Sequence, residues 1–493
     1  MRAHLLALPL AVAVSAGAVA SCSSKSDGGT TTPLVDAGPA TYAPQGCAYT
    51  IAPPDARGFT GLALDDAKAT GDAPIRVRLG MGGATTKGKP GYADPTTTAA
   101  FTWETAATTN AAKVRLGNDP AMLQGGLSDV HTGYSWTTQP PSVGIGTNEA
   151  AAQMHEAHVC GLTPGKTYYY QVGGGSPEVW SATQSFTTVP SSGKITLGVS
   201  GDSRDSADIL QLVQLRMRDA GVAMQLFSGD FVIFGAQESQ YAQWIDKMWK
   251  DPSDASKFLT LGQQMILPVP GNHENDSSQF FGNWALPGDG AYAETFGSFD
   301  VGNAHVVLLD DELIAAVGKG DQVTAQLAWL EADLMAAEAD RAAHPFIIVV
   351  HHRGELSTSD HGKESDVLAA RTALLPIWDK HHVDLVLNGH DHNYERSRPV
   401  TGPASSPTVQ TAANMGTTFV VCAGAGASAY SPGKNVVPYR AFNAGFGNGT
   451  PYVGVYALLT LEPGTLTLKG YGLKQAGGGV MGDDLLDTFT STR

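Results

Sequence analysis

Five apolar runs between Ile195 and Leu387 each end in the same kind of polar cluster, and this repetition constrains the fold more than any other feature of the chain. Ile195–Ser200 leads into Gly201-Asp202, Gln225–Ser228 into Gly229-Asp230, and Ile266–Pro270 into Gly271-Asn272-His273-Glu274. Phe346–Val350 leads into His351-His352, and Val383–Leu387 into Asn388-Gly389-His390-Asp391-His392. Short apolar runs of this kind read as buried strands. Helical periodicity fills the gaps at Ser206–Ala220, Glu238–Lys250, Gln322–Ala343 and Ser365–Lys380. Strands alternating with helices predict a layered α/β domain whose ligands gather beyond the carboxyl ends of the strands. The five clusters are therefore expected to meet at one edge.

A lone Gly-Asp at a strand end is ordinarily a turn or a helix cap. Five clusters in one register, offering carboxylates, an amide and imidazoles, are the donor set of a dinuclear metal site. His390 and His392 are two residues apart, so in an extended segment their imidazoles point the same way while Asp391 points away. The glycine before most of the polar groups permits the sharp turn that brings a short side chain inward.

From Ile75 to Thr188 the pattern is instead all-β. Alternating runs at Ile75–Leu79, Phe101–Thr105, Lys113–Leu116, His155–Val159 and Tyr168–Val172 are separated by Gly, Pro and Asn, which predicts a small sandwich. Gly161–Tyr170 resembles the turn and strand of a fibronectin type III-like module, with Ser185–Thr188 as its final strand. His131, His155 and His158 share no ligand spacing and read as strand or surface histidines.

Arg2 followed by the apolar run Leu5–Ala20 reads as a targeting segment too short to span a bilayer. It ends in Val19-Ala20-Ser21-Cys22, which resembles a bacterial lipoprotein box with Cys22 lipidated; the alternative is ordinary signal-peptide cleavage near Ala20. The Ser/Gly/Thr/Pro-rich stretch that follows reads as a flexible tether. An exported chain permits disulfides. Cys47 and Cys160 are the expected pair, although the sequence does not fix the pairing, and Cys422 reads as a buried thiol. The net charge of −16 over 493 residues argues against nucleic acid or an anionic membrane surface as partner. A membrane contact is expected only through the lipid anchor.

The series Gly-Asp, Gly-Asp, Gly-Asn-His-Glu, Val-Val-His-His and Gly-His-Asp-His resembles the calcineurin-like metallophosphoesterases. Asn393–Ser397 and the fibronectin-like module in front resemble their purple acid phosphatase branch. The resemblance implies an N-terminal all-β fibronectin type III-like sandwich plus a four-layer α/β/β/α metallophosphoesterase domain. The organisation is then a lipoprotein signal peptide at 1–22, a linker at 23–46, the sandwich at 47–189 and the metallophosphoesterase domain at 190–493. Carried over residue by residue, Asp202 and His392 hold one metal, Asn272, His351 and His390 the other, and Asp230 bridges them. Such a pair of metals clamps the attacking and leaving oxygens of an in-line displacement and generates hydroxide near neutral pH, with no covalent enzyme intermediate. His273 resembles the histidine that contacts the phosphoryl group or protonates the leaving oxygen. His361 resembles a substrate-pocket histidine; its alternative is a mobile surface-loop residue. His352 is expected to support the pocket wall.

Two departures stand out. The tyrosine that colours the purple enzymes is replaced here by Ile233, so no purple colour is expected and the metals are open among iron, zinc and manganese. Arg204 stands where the family has glycine; it either reaches the substrate phosphate or is a solvated loop residue. The expected activity is hydrolysis of phosphomonoesters, small-molecule phosphate esters, by an exported cell-envelope protein, outer-membrane or surface-anchored or else secreted. The alternatives are a phosphodiesterase or nucleotidase on the same core, or a catalytically inactive surface-binding lipoprotein. Specificity is expected to lie in loops such as Asp311–Asp321 and Gly402–Met415.

Overall fold

The computed structural model describes residues 41–51, 60–106, 108–124, 126–138, 147–288, 294–315, 320–433, 436–447, 449–474 and 483–493. The expected signal peptide, Cys22 and the linker as far as residue 40 lie outside them.

The N-terminal strands form two antiparallel sheets. One runs Thr60–Leu64, Tyr134–Thr137, Gln153–Val159, Ala99–Thr105, Ile75–Gly80; the other runs Gln184–Thr187, Thr167–Gly174, Lys113–Gly117, Asp129–Thr132. Alternate residues of each, among them Val77, Phe101, Val114, Tyr170 and Phe186, fill the space between them. The rings of Phe101 and Tyr170, one from each sheet, lie 4.6 Å apart. This is the expected sandwich. Cys47 and Cys160 are bridged and Cys422 is a buried free thiol. His155 and His158 are buried rather than superficial: His155 lies 2.7 Å from Ser135 Oγ and 2.8 Å from Thr105 Oγ1, and His158 2.7 Å from Glu156.

The α/β part has two mixed sheets. The six-stranded sheet runs Met265–Pro268, Met224–Phe227, Ile195–Ser200, Tyr452–Glu462, Thr465–Lys474, Asp484–Thr492, with its first three strands parallel. The seven-stranded sheet runs Gly297–Val301, Ala304–Leu308, Phe346–Val350, Leu385–Asn388, Thr418–Cys422, Tyr394–Ser397, Arg440–Ala444. Its four middle members among Ala304, Phe346, Leu385 and Thr418 strands are parallel. Apolar side chains of the seven-stranded sheet alternate strictly between two cores. Val306, Leu308, Ile348, Val350, Leu385, Leu387 and Val420 face the other sheet. Val307, Ile347, Val349, Val386 and Phe419 face Leu330, Leu334, Leu374 and Trp378 of the helices Gly320–Ala339 and Ser365–Lys380. A strand buried on both faces reads as an unbroken apolar run, which is why Phe346-Ile347-Ile348-Val349-Val350 carries no polar residue. On the far side, Leu210, Val213, Met217 and Ile245 of the helices Ala207–Asp219 and Glu238–Trp249 cover the six-stranded sheet. The layers are helix, sheet, sheet, helix, as expected.

The sandwich joins this part through backbone pairing. Leu79 N donates to Leu261 O at 2.9 Å and Met81 N to Ala285 O at 3.1 Å, while Tyr170 donates its hydroxyl to Gly262 O at 2.6 Å. Both belong to one compact unit, Pro39–Arg493. The Gly402–Met415 segment includes the two-residue strand Thr408–Val409, paired with Val400–Thr401, and Ala404 and Val409 pack on the core beneath the helical layer rather than on the strand-end clusters. Among the described residues no helix is long and apolar enough to cross a membrane.

Candidate metal centre

Because Ile195–Ser200, Met224–Phe227 and Met265–Pro268 are parallel neighbours, Asp202, Asp230 and Asn272 leave the six-stranded sheet at the same edge. Phe346–Val350 and Leu385–Asn388 likewise deliver the histidines from the other sheet. Asp202 N donates to Gly229 O at 2.9 Å within one edge and Gly389 N to His352 O at 2.8 Å within the other, and His390 N joins the two by donating to Asp202 Oδ1 at 3.0 Å. Asp202, Asp230 and His390 all have left-handed backbones, with φ of 57°, 54° and 71°. Such conformations are uncommon outside glycine and persist where the surroundings fix them. Glu274 does so at Asp230, its two oxygens accepting from the backbone N–H groups of Gly271 and Asp230 at 2.8 Å, Phe231 at 2.8 Å and Val232 at 3.2 Å. Two glycines are dictated by space: a Cβ on Gly389 would lie 2.4 Å from Asp202 Oδ2, and one on Gly271 2.4 Å from Asp230 Oδ1.

Two donor groups result. In the first, ligand atoms of Asp202, Asp230 and His392 lie within 4.8 Å of one another, all buried. In the second, Asn272 Oδ1 is 2.9 Å from both His352 Nε2 and His390 Nδ1, and His352 Nε2 is 3.3 Å from Asp230 Oδ1. Asp230 belongs to both. The imidazoles are aimed by their far nitrogens: His352 Nδ1–H donates to Ser228 O at 2.8 Å and His392 Nδ1–H to Ser428 O at 2.6 Å. Each Nε2 therefore carries a lone pair turned inward, as metal-ligating histidines do. Burial lowers the pKa of His392 to about 4 and pushes His352 and His390 down as well, so the rings are neutral. Burial, with the nearby Asp230 charge, pushes Asp202 well above the carboxylate range. Asp202 Oδ2 is buried without a hydrogen-bond partner. Convergent lone pairs, repelling carboxylates and an orphaned acceptor are what a cation satisfies, so the residues fit a metal pair.

His351 does not join them. Its Nδ1 lies 3.0 Å from Asp311 Oδ2 and its Nε2 3.1 Å from Glu355 Oε1. Burial alone would lower its pKa, but Glu355 and Asp311 outweigh that and hold it at about 10, so this ring is a cation with no free lone pair. The physical reason is strand alternation. Val350 faces the other sheet, so His351 falls on the helical side, stacked 6.2 Å from Trp378, and His352 returns to the side of the centre. The expectation that His351 is the donor and His352 the wall is therefore reversed.

The remaining expected residues lie around these groups. His273 N donates to Asp230 Oδ1 at 3.0 Å, its Nδ1–H to Ile233 O at 2.6 Å, and its Nε2 sits 3.9 Å from Asp230 Oδ2. His361 is not a stray surface residue: its ring centre is 4.5 Å from that of His390, and its backbone N–H donates to Asp391 Oδ1 at 3.0 Å. Asp391 also accepts from Ser357 and stays out of both donor groups. Arg204 places Nε 3.8 Å from Asp230 Oδ2 and donates from Nη2 to Tyr430 OH at 3.0 Å.

Tyr430 has no counterpart in the expectations. Its ring stacks on His392 with centres 3.9 Å apart and planes at 10°, and meets His361 edge-on at 5.1 Å. The loop that carries it is laced to the centre: Ala425 N donates to Gly201 O, Ala427 N to Asp202 O, and Tyr430 N to His392 O, at 2.8 to 3.1 Å. The readable signal is Gly424-Ala425-Gly426-Ala427 directly after an apolar strand, small residues where backbones approach closely. A Cβ on Gly426 would lie 2.4 Å from Ser206 O.

The fold and the paired donor groups define a metallophosphoesterase-type α/β protein with a β-sandwich in front. Comparison with known proteins agrees. Residues 89–188 match the family model "Purple acid Phosphatase, N-terminal domain". The chain is 28% identical to purple acid phosphatase 21 of Arabidopsis thaliana, covering 52% of this chain and 56% of that protein. It is 29% identical to acid phosphatase type 7 of Homo sapiens, covering 53% and 60%. It thus spans somewhat over half the length of these curated relatives. In fold it is similar to the purple acid phosphatase PPD1 from yellow lupin seeds, with a TM-score of 0.64 at 18% identity, covering 86% of this chain and 75% of that one. In sequence and in fold the chain is thus similar to the purple acid phosphatase-like metallophosphoesterases.

Proposed function

We propose that this chain is an exported, metal-dependent phosphatase that hydrolyses small-molecule phosphomonoesters. The observation that carries the reading is the pair of donor groups sharing Asp230. Asp202, Asp230 and His392 would hold one metal; Asp230, Asn272, His352 and His390 the other. Metals bound there supply Lewis acidity and an activated water for direct displacement at phosphorus. His273, its Nδ1 proton engaged by Ile233 O, presents Nε2 as the nitrogen that, in the doubly protonated ring, passes its proton to the leaving oxygen. His361 lines the pocket beside His390. Ile233 offers no phenolate, which leaves the metals open among iron, zinc and manganese. The targeting segment and lipoprotein-like box at Cys22 support export to the cell envelope, and the Cys47–Cys160 bridge suits an oxidising compartment.

The test is purified protein assayed for bound metal and for phosphate release. Two metals per chain with release from a generic aryl phosphate are expected. Release from diesters alone would favour a phosphodiesterase or nucleotidase. Metal-loaded protein inert toward both would favour a binding lipoprotein.

A further inference from the structure

Arg204 and Tyr430 come from opposite halves of the α/β part and meet beside the first donor group. Arg204 Nη2 donates to Tyr430 OH at 3.0 Å and lies 3.5 Å from His392 Nε2. Arg204 Nε, 3.8 Å from Asp230 Oδ2, is buried without a hydrogen-bond partner among the described residues. A guanidinium nitrogen can only donate, so this atom lacks an acceptor. The Tyr430 hydroxyl, having accepted from Arg204, keeps its own proton for a further acceptor. Tyr430 is not free to swing: its ring is stacked on His392 and its backbone N–H is tied to His392 O at 3.1 Å. Two unused donors thus converge next to the space that Asp230 and His392 border.

A phosphomonoester differs from a diester by one more non-bridging oxygen and a second negative charge. Metal cations attract both classes and favour the more charged one; a fixed donor that the extra oxygen satisfies and a second ester group leaves unpaired sharpens that preference. We propose that Arg204 and Tyr430 form one recognition unit for that oxygen and set the preference for monoesters over diesters. The proposal rests on the phosphatase reading above and gives that reading its selectivity.

The probes are inorganic phosphate and dimethyl phosphate, titrated calorimetrically into metal-loaded protein whose metal content is measured for each variant. Wild-type protein is expected to prefer inorganic phosphate. In Arg204→Met, loss of a charge-assisted contact should weaken phosphate about 10- to 100-fold and dimethyl phosphate less than about 3-fold. Arg204→Lys should fall between, since it keeps the charge and loses the fork. Equal weakening of both probes, an unchanged preference, or a wild-type protein that binds them equally would overturn the proposal. If Arg204→Met fails to fold or to load metal, Tyr430→Phe decides: it keeps the stacked ring, removes one hydroxyl, and an unchanged preference there is a refutation. A protein that shows the preference and its loss in the variants, yet hydrolyses no monoester, supports the recognition unit while sinking the phosphatase reading.

Discussion

Replacing His352 and His351 separately should give opposite phenotypes, although the residues are adjacent. His352→Ala removes a nitrogen 2.9 Å from Asn272 Oδ1 and 3.3 Å from Asp230 Oδ1, one of four donors in the second group. Losing even an outer partner of a metal ligand costs about 10–100-fold in affinity. Loss of the donor itself should therefore exceed about 2.7 kcal/mol, enough to empty one site at micromolar metal. The folding cost is smaller, about 1–3 kcal/mol, for the Ser228 carbonyl left without its donor. His351→Ala instead strips a buried cation from between Asp311 and Glu355, both fully buried. Breaking a buried pair in this way costs about 3–5 kcal/mol, within the ~5–15 kcal/mol of a typical domain. The assay pairs metal analysis of desalted protein with urea unfolding of chelator-stripped protein. His352→Ala should hold one metal fewer with a modest shift in midpoint; His351→Ala should keep two metals and show the larger shift. A folded His351→Ala that loses a metal while His352→Ala retains both would refute the assignment.

His273→Ala should keep both metals and lose about 10²–10⁴-fold in turnover, most severely for esters with poor leaving groups; unchanged turnover would remove His273 from the mechanism. Iron-loaded protein should lack a phenolate-to-iron absorption band, and Ile233→Tyr should introduce one, with Tyr430→Phe as the control that no other phenol supplies it. His305 titrates far from the centre. Burial opposes its charge, but the hydrogen bonds its ring donates to Asp300 and Asp333 at 2.9 Å prevail and raise its pKa above the ordinary value. Its contribution is therefore complete below pH ~6.5 and fades as pH rises through the higher folded value. The gap in urea midpoint between wild type and His305→Asn should narrow with rising pH, and a gap that widens would contradict this.

The sequence is most legible where both sides of a strand are buried. Runs such as Phe346–Val350 leave one interpretation, and the turn after each fixes where a polar side chain emerges. It is least legible at sheet edges. Asp484–Thr492 and Arg440–Ala444 pair along one side only and carry mixed polar residues, so no alternation announces them. His351 and His352 show a different failure. The alternation rule that separates His390 and His392 from Asp391 also separates these two, once it is counted from Val350 rather than from the motif. Tyr430 was hidden because its position depends on backbone contacts with Gly201, Asp202 and His392, partners remote in the chain. Glu274 was visible as the last letter of Gly-Asn-His-Glu, but its work is to grip the Asp230 turn, which no local pattern expresses.

Each donor group draws on both sheets: Asp202 and Asp230 with His392 in one, Asp230 and Asn272 with His352 and His390 in the other. The contact from His390 to Asp202 spans 188 residues of chain. A ribosome must therefore deliver the chain as far as His390 and His392 before either donor group is complete, and a chain interrupted before Leu385 completes neither. Metals bound by these groups would therefore act as rivets across a seam, joining two sheets that the chain completes far apart in sequence.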